Sequence, residues 1–323
     1  MLDKMGRQIE YLRVSVTDRC NLRCVYCMPE GGIEQVTHDE ILSFDELYRV
    51  IKETTYLGIK KVRITGGEPL VRKGIISFIK KVKEIKGIEE VCLTTNGILL
   101  ADYMDQLYEA GLDRINISLD TFNCDRYKSI TRRDGLDKVL KAIELGVEKG
   151  FKRIKVNTVI IKELNYEEIE DFVNLAEEYD IDVRFIELMP IGEAKGYTPT
   201  SNDEIKGIIK MHRKLYPVYS KKGSGPAKYY KTNGSKGRIG FISAMSHEFC
   251  QECNRIRITP EGFLKLCLHS NKGIDLKELL RNNIDDYELR HIIKDAVENK
   301  PDRHHFNENS EDEDNRLMSQ IGG

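Results

Sequence analysis

Six of the eight cysteines fall into two tight groups, and their spacing is the feature of the sequence that most directly implies a chemistry. Cys20, Cys24 and Cys27 form a CxxxCxxC triplet, while Cys250 and Cys253 form a CxxC followed, after thirteen residues, by Cys267. Three thiolates on one short loop hold three corners of a 4Fe-4S cluster and leave one iron free to bind something else. The alternative is zinc, but a structural zinc site takes four closed ligands, usually from paired CxxC units, and the first triplet is an unusual way to begin one. For the second triplet, His247 and His269 lie near enough in sequence to complete a zinc tetrahedron, so zinc stays open there. Cys92 and Cys124 stand alone and read as packing or surface positions. Between Cys253 and Cys267, Arg255 and Arg257 are spaced two apart, which puts both on one face of an extended segment. Two guanidiniums there suit a phosphorylated or otherwise anionic substrate, the competing reading being a surface salt-bridge face.

Something must position these groups, and the first two thirds of the chain repeat a pattern able to do it. A short β-branched run, a polar or glycine-rich connection and a stretch with helical spacing recur six times. The expected strands are residues 11–16, 61–65, 90–95, 114–119, 155–161 and 183–188. Helix starts are signalled where Ser43 precedes Glu46, Asn165 precedes Glu168 and Ser201 precedes Glu204, each a capping oxygen three residues before a carboxylate that reaches back. Alternating strands and helices imply an α/β fold with a parallel sheet, and six units suit a partial (β/α)6 TIM-type barrel with a C-terminal extension carrying the second Fe-S site. The expected division is 1–200 for the barrel, 201–299 for a closing segment and 300–323 for a tail. Past Pro199 the regularity fades into the loop Lys221-Lys222-Gly223-Ser224-Gly225-Pro226. From Lys300 onward, a histidine pair, the acidic run Glu311 to Asp314 and a terminal Gly322-Gly323 read by composition as a solvated tail.

The composition narrows the function further. With 51 basic and 53 acidic residues mixed along 323, the chain has no single-sign field for nucleic acid or an anionic membrane. No apolar stretch resembles a signal core, and no run approaches the ~18 apolar residues of a membrane span, so the expected compartment is the cytoplasm.

At the first triplet, with Tyr26 just before its last cysteine, the sequence resembles the radical S-adenosylmethionine superfamily. A second superfamily element is Thr65-Gly66-Gly67-Glu68-Pro69 at the end of the next strand, where glycine lets backbone approach a ligand closely. Over essentially the entire chain the sequence resembles the GTP 3',8-cyclases of molybdenum cofactor biosynthesis. That resemblance is carried by Leu12-Arg13-Val14-Ser15-Val16-Thr17-Asp18-Arg19-Cys20, by Arg63-Ile64-Thr65-Gly66-Gly67-Glu68-Pro69, by Phe249-Cys250-Gln251-Glu252-Cys253-Asn254-Arg255-Ile256-Arg257 and by the ending Met318-Ser319-Gln320-Ile321-Gly322-Gly323.

The resemblance implies a lyase with two 4Fe-4S clusters, one on Cys20, Cys24 and Cys27 and one on Cys250, Cys253 and Cys267, with S-adenosylmethionine bound at Tyr26, Gly67, Ser118 and Met189. It implies GTP contacts from Arg13, Arg63, Thr94, Lys155, Arg255, Ile256 and Arg257, with Arg13, Arg255, Arg257 and the first three cysteines catalytic, and a double-glycine tail reaching into the active site. On the residues alone, Thr94 and Ser118 are merely polar strand ends and Met189 a core residue. The implied reaction is hydrogen removal from the ribose C3' of GTP and attack of that carbon on C8 of the guanine. An external reductant, a downstream cyclic pyranopterin monophosphate synthase and a possible homodimer belong to the same implication. Two other readings compete. A peptide-modifying radical enzyme would usually carry more cysteines in its extension, and a zinc-stabilised binding module would want a basic stripe and exposed aromatics.

Overall fold

The β-branched runs of the first two thirds form β1 (Tyr11–Ser15), β2 (Lys61–Thr65), β3 (Glu90–Thr95), β4 (Arg114–Ser118), β5 (Arg153–Val159) and β6 (Asp182–Ile186). The computed structural model describes the chain except for residues 35, 38, 220–224, 305, 307–313, 315 and 323. Each of the six strands pairs in parallel with the next. Their residues alternate as the pleat requires. Leu12, Val14, Val62, Ile64, Val91, Leu93, Ile115 and Ile117 are buried in the core with the apolar faces of the surrounding helices, among them Phe44–Tyr56, Ile75–Lys83 and Leu136–Lys149. The intervening positions Tyr11, Arg13, Lys61, Arg63, Thr94, Asn116, Ser118 and Lys155 line an internal cavity. Burial on one face and polarity on the other thus fix which side of every strand looks inward.

The six-unit barrel is present, and its completion is more elaborate than a cap over one mouth. The remaining strands are β7 (Tyr216–Val218), β8 (Lys228–Lys231), β9 (Arg238–Ile242), β10 (Arg255–Ile258), β11 (Phe263–Lys265) and β12 (Gly273–Asp275). β9 joins β6 in parallel and β10 joins β1 in parallel, so the C-terminal segment extends both edges of the sheet. The order β12-β11-β10-β1-β2-β3-β4-β5-β6-β9-β8-β7 therefore holds eight parallel strands, flanked by antiparallel pairs and left open, because β9 and β10 are not neighbours. These late strands are only three to five residues long, too short for an alternation to declare them.

Two of the three expected helix starts have a side-chain cap. Ser43 and Glu46 form a reciprocal capping box, with Oγ accepting from Glu46 N at 3.1 Å and Glu46 Oε2 accepting from Ser43 N at 2.6 Å. Ser201 Oγ accepts from Glu204 N at 3.2 Å, but the Glu204 carboxylate turns to the Tyr166 hydroxyl at 2.8 Å. Asn165 caps nothing with its side chain, a correction to the expectation. Its Oδ1 accepts from Ile161 N at 2.8 Å and its Nδ2 donates to Asp120 O at 2.7 Å and Val159 O at 2.9 Å, satisfying backbone groups in the turn after β5. Glu168 instead accepts from Phe122 N at 2.6 Å and from the Thr121 hydroxyl at 2.5 Å. Cys92 is buried and Cys124 exposed, in keeping with their ordinary reading. Among the described residues, no helix is long and apolar enough to cross a membrane.

The joint between barrel and extension is electrostatic as well as hydrogen-bonded. Asp182 and Arg238 are register partners across β6 and β9, and the carboxylate takes both Nε and Nη2 of the guanidinium at 2.8 Å. Burial pushes the Asp182 pKa up, but Arg238, Lys155 and Arg153 hold it below the ordinary value of 3.8. Its stabilisation is therefore present above that value and lost only on acidification below it. Asp182→Asn, which leaves the partly buried Arg238 without its carboxylate partner, is expected to lower the unfolding free energy by ~3 kcal/mol in urea titrations. An unchanged midpoint would show that the backbone ladder alone holds β9.

Candidate active site

The strand register stacks charge in layers. Arg257 of β10, Arg13 of β1 and Arg63 of β2 are consecutive cross-strand partners, three guanidiniums side by side. One layer down, Arg255, Tyr11 and Lys61 are partners in the same way. Among the described residues, none of Arg13, Arg63 and Arg257 has a carboxylate within 4.0 Å. Arg63 donates to the Tyr11 hydroxyl and, at 3.2 Å, to Thr94 Oγ1, while Arg13 Nε is buried without a partner among the described residues. Burial, with repulsion from Arg255 and Arg63, pulls Arg13 down to about 10 despite the favourable field of Tyr11. Burial and the charges of Arg13 and Arg255 pull Arg257 well below its ordinary value. Across the barrel, burial and Arg184 bring Lys155 down to about 6, although Asp182 lies 3.6 Å from its Nζ. Like charges concentrated in a buried layer are costly unless an anion enters among them. The arrangement therefore suits a polyanion.

Both cysteine groups open into the same cavity of about 370 Å³. The first sits on the loop after β1, where the backbone N–H groups of Cys27 and Met28 donate to Cys24 O at 2.9 and 3.0 Å. The Gly-Gly segment after β2 packs under this loop. Gly67 N donates to Thr17 O at 2.7 Å and Glu68 N to Arg19 O at 2.8 Å. A Cβ at Gly66 would lie 2.7 Å from Thr17 O, and one at Gly67 2.5 Å from Arg19 O, so the two glycines are required by contact with the cysteine loop itself. Tyr26 donates to Asp120 Oδ2 at 2.5 Å, and burial lifts that carboxyl to about 6 against the pull of the Tyr26 hydrogen bond.

The first donor set fits an iron-sulfur cluster. Among the described residues, neither triplet brings its three sulfurs within 4.8 Å of one another. A single tetrahedral zinc, with Zn–S of about 2.3 Å, needs sulfurs only ~3.8 Å apart. The group that does meet that closeness is Glu248, Cys250 and His304. Of the two histidines considered from sequence, His247 pairs with Asp203 at 2.7 Å, while His269 lines the cavity, edge-on to Phe306 with ring centroids 4.6 Å apart. Burial and the neighbouring thiols push Cys24 well up and Cys27 to about 12, so the first set ionises together only with compensating positive charge such as cluster iron. At the second set burial is outweighed by Arg255 and Lys300, which bring Cys253 down to about 6.

All but one of the residues expected at the site line this cavity: Arg13, Arg63, Thr94, Lys155, Arg255 and Arg257, then Tyr26, Gly67, Ser118 and Met189, and the six cysteines. Ile256 does not, because the pleat turns its side chain away from its neighbours Arg255 and Arg257 into the hydrophobic core. The sequence reading overlooked Tyr11, Lys61, Asn96 and Arg184, which also line the cavity. Tyr11 and Lys61 share the inward parity of Arg13 and Arg63, a signal available from the alternation alone. Arg184 carried the same signal on β6.

The tail departs from its composition. Lys300 and Ser319 are buried, and Met318–Ile321 is a short helix whose Met318 and Ser319 reach the cavity wall. The Ser319 backbone N–H works against burial to lower the Cys27 pKa, and the Gly322 carbonyl accepts from Arg257 Nη1 at 3.0 Å. Asp314 pairs with the fully buried Lys265, which also donates to Ser270 O at 2.7 Å, and Arg316 stacks on Phe263 at 4.9 Å. Apolar burial and paired charge thus override polar composition. Gly323, residues 311–313 of the acidic run and residues 221–224 of the basic loop lie outside the described residues.

Residues 14–176 match the Radical SAM superfamily and residues 181–306 match Molybdenum Cofactor Synthesis C. Full-length relatives named GTP 3',8-cyclase include one from Clostridium perfringens (strain 13 / Type A), 54% identical over 100% of both chains. Another, from Alkaliphilus metalliredigens (strain QYMF), is 47% identical over 100% of both chains. Among solved structures, Streptococcus suis SuiB bound to S-adenosylmethionine aligns with a TM-score of 0.62 at 17% identity, covering 86% of this chain. This chain spans 66% of the length of SuiB, and at that identity the likeness shows the fold alone.

Lys265→Met removes the cation that holds Asp314 and is expected to release the tail. Hydrogen exchange should then show protection lost at residues 317–321 while β1 to β6 stay protected, and unchanged protection at 317–321 would place the anchor elsewhere.

Proposed function

The chain belongs to the GTP 3',8-cyclase family of radical S-adenosylmethionine enzymes and acts in molybdenum cofactor biosynthesis, and on that premise we propose how its residues perform the reaction. The substrate is GTP and the product (8S)-3',8-cyclo-7,8-dihydroguanosine 5'-triphosphate. The observation that carries this reading is the row Arg257, Arg13 and Arg63, the outer two buried and Arg13 half-buried, all without carboxylate partners among the described residues. A triphosphate supplies the missing charge, and guanidinium forks suit its oxygens bidentately. Lys155, Arg255 and Thr94 complete the binding of phosphate and ribose.

An iron-sulfur cluster and S-adenosylmethionine are part of the enzyme, and we assign that cluster to Cys20, Cys24 and Cys27, with Tyr26, Gly67, Ser118 and Met189 around the cosubstrate. When bound, they supply a 5'-deoxyadenosyl radical able to take hydrogen from a C–H bond. The chain's own residues then do the directing. The arginines fix the phosphate end so that ribose C3' faces the first cysteine group, and Cys250, Cys253 and Cys267 would hold a second 4Fe-4S cluster that would supply a binding point for the purine. Fixing both ends holds C3' and C8 in attack geometry, and the enclosed cavity excludes water from the carbon radical. Residues 1–200 serve as the radical-generating barrel and 201–299 bring the second cluster to it. We place the enzyme in the cytoplasm, supplied by an external one-electron reductant and followed by a cyclic pyranopterin monophosphate synthase.

Anaerobically reconstituted protein given S-adenosylmethionine, dithionite and GTP is expected to form 5'-deoxyadenosine and the cyclic nucleotide together, both lost in Cys24→Ser. Deoxyadenosine with GTP unchanged would overturn the substrate assignment.

Lys155 gives a second test. In the free protein its pKa is about 6, so at pH 8 it is mostly neutral. An incoming triphosphate raises that pKa, so binding takes up a proton and weakens as pH rises above about 6. Calorimetry at pH 8 in two buffers of different ionisation enthalpy should show uptake of up to one proton, absent in Lys155→Arg. No uptake in the unsubstituted protein would remove Lys155 from the phosphate site.

A further inference from the structure

Asn96 follows β3 directly and lines the cavity beside the first cysteine group. Its amide has one orientation. The side-chain oxygen accepts the backbone N–H of Ile98 at 3.1 Å, and only Oδ1 can accept there. Both Nδ2 hydrogens are thereby turned the other way, to Asn21 Oδ1 at 2.7 Å and Cys20 Sγ at 3.6 Å. The residue's backbone is fixed too, its N–H donating to Glu68 Oε2 at 2.7 Å. Glu68 is buried and held by the Thr95 hydroxyl at 2.8 Å and the Leu70 N–H at 3.0 Å. The Cys20 sulfur also receives the backbone N–H of Leu22 at 3.4 Å.

Such a donor acts differently on the two redox states of a cluster. Reduction adds one electron from the external reductant, and part of that charge spreads onto the cysteine sulfurs. An N–H dipole aimed at the sulfur stabilises the more negative state more, so hydrogen bonds to sulfur raise the reduction potential. The Asn96 amide points at one ligand sulfur only. Its own orientation depends on neither S-adenosylmethionine nor substrate, since Ile98, Asn21 and Glu68 set it within the protein.

We propose that Asn96 is a positioning residue that raises the reduction potential of the first cluster by donating a hydrogen bond to the Cys20 sulfur. The proposal rests on the reading that Cys20, Cys24 and Cys27 ligate that cluster. Asn96→Asp keeps an oxygen for Ile98 and replaces the donor by a negative oxygen, while Asn96→Leu keeps the size and removes the donor without adding charge.

Potentiometric titration of the reconstituted enzyme, followed by the electron paramagnetic resonance signal that changes on adding S-adenosylmethionine, tests it. In Asn96→Leu the ratio of reduced to oxidised cluster at a fixed potential should fall about tenfold, ~59 mV for a one-electron couple. Asn96→Asp should shift further in the same direction, with the KM for GTP unchanged in both. Unshifted midpoints in variants that carry the iron of the unsubstituted protein overturn the proposal. Should the leucine variant lose iron, the aspartate variant alone decides, since it retains the side chain's size and its Ile98 contact. Failure of the underlying reading is distinguishable, because the S-adenosylmethionine-responsive signal would then survive Cys20→Ala whatever the Asn96 variants do.

Discussion

The parallel pairing of β10 with β1 is the contact on which the site depends. It joins two strands more than two hundred residues apart in sequence and sets Arg255 beside Tyr11 and Arg257 beside Arg13. Because Cys253 lies two residues before β10, the same register brings the second cysteine group to the cavity that the first reaches from the far end of β1. A slip of one residue would turn Ile256 into the cavity and both arginines into the apolar core. The hydrophobic demand of the outer face and the register of the charged inner face are therefore one constraint.

That constraint explains why the barrel stays open. With β9 on one edge and β10 on the other, the extension supplies the last parallel strand at each side, and antiparallel pairs cover what would otherwise be bare edges. The interior is then free to be polar, as a filled barrel core would not be. A row of buried guanidiniums is expensive to maintain in the free protein, and the structure tolerates it through Tyr11, whose ring lies under Arg13, Lys61 and Arg63 at 5.8, 5.3 and 5.7 Å. Destabilisation concentrated at a binding site is offset elsewhere by burial and paired charge, here by the core and the Asp182–Arg238 pair.

The tail shows the same logic at smaller scale. Its residues are polar, yet Lys265 gives Asp314, Phe263 gives Arg316 and Arg257 gives the Gly322 carbonyl a partner as Met318–Ile321 packs down. Ser319 thereby lines the cavity with Cys27, and Arg257 joins the guanidinium row to the chain end.

The sequence by itself determined the cysteine groups, the six strands and the shared face of Arg255 and Arg257, because each is written in spacing between near neighbours. Resemblance to a family added Thr94, Ser118 and Met189, which no local pattern marks. Asn165 misled, since a capping motif is a local preference and the turn after β5 offered its amide three backbone partners instead. Only the tertiary structure decided that β9 and β10 go to opposite edges, that Ile256 faces the core and that Asn96 aims its amide at Cys20. Those facts depend on pairings between distant segments, whose register is settled by burying apolar faces together and not by anything the segments carry alone.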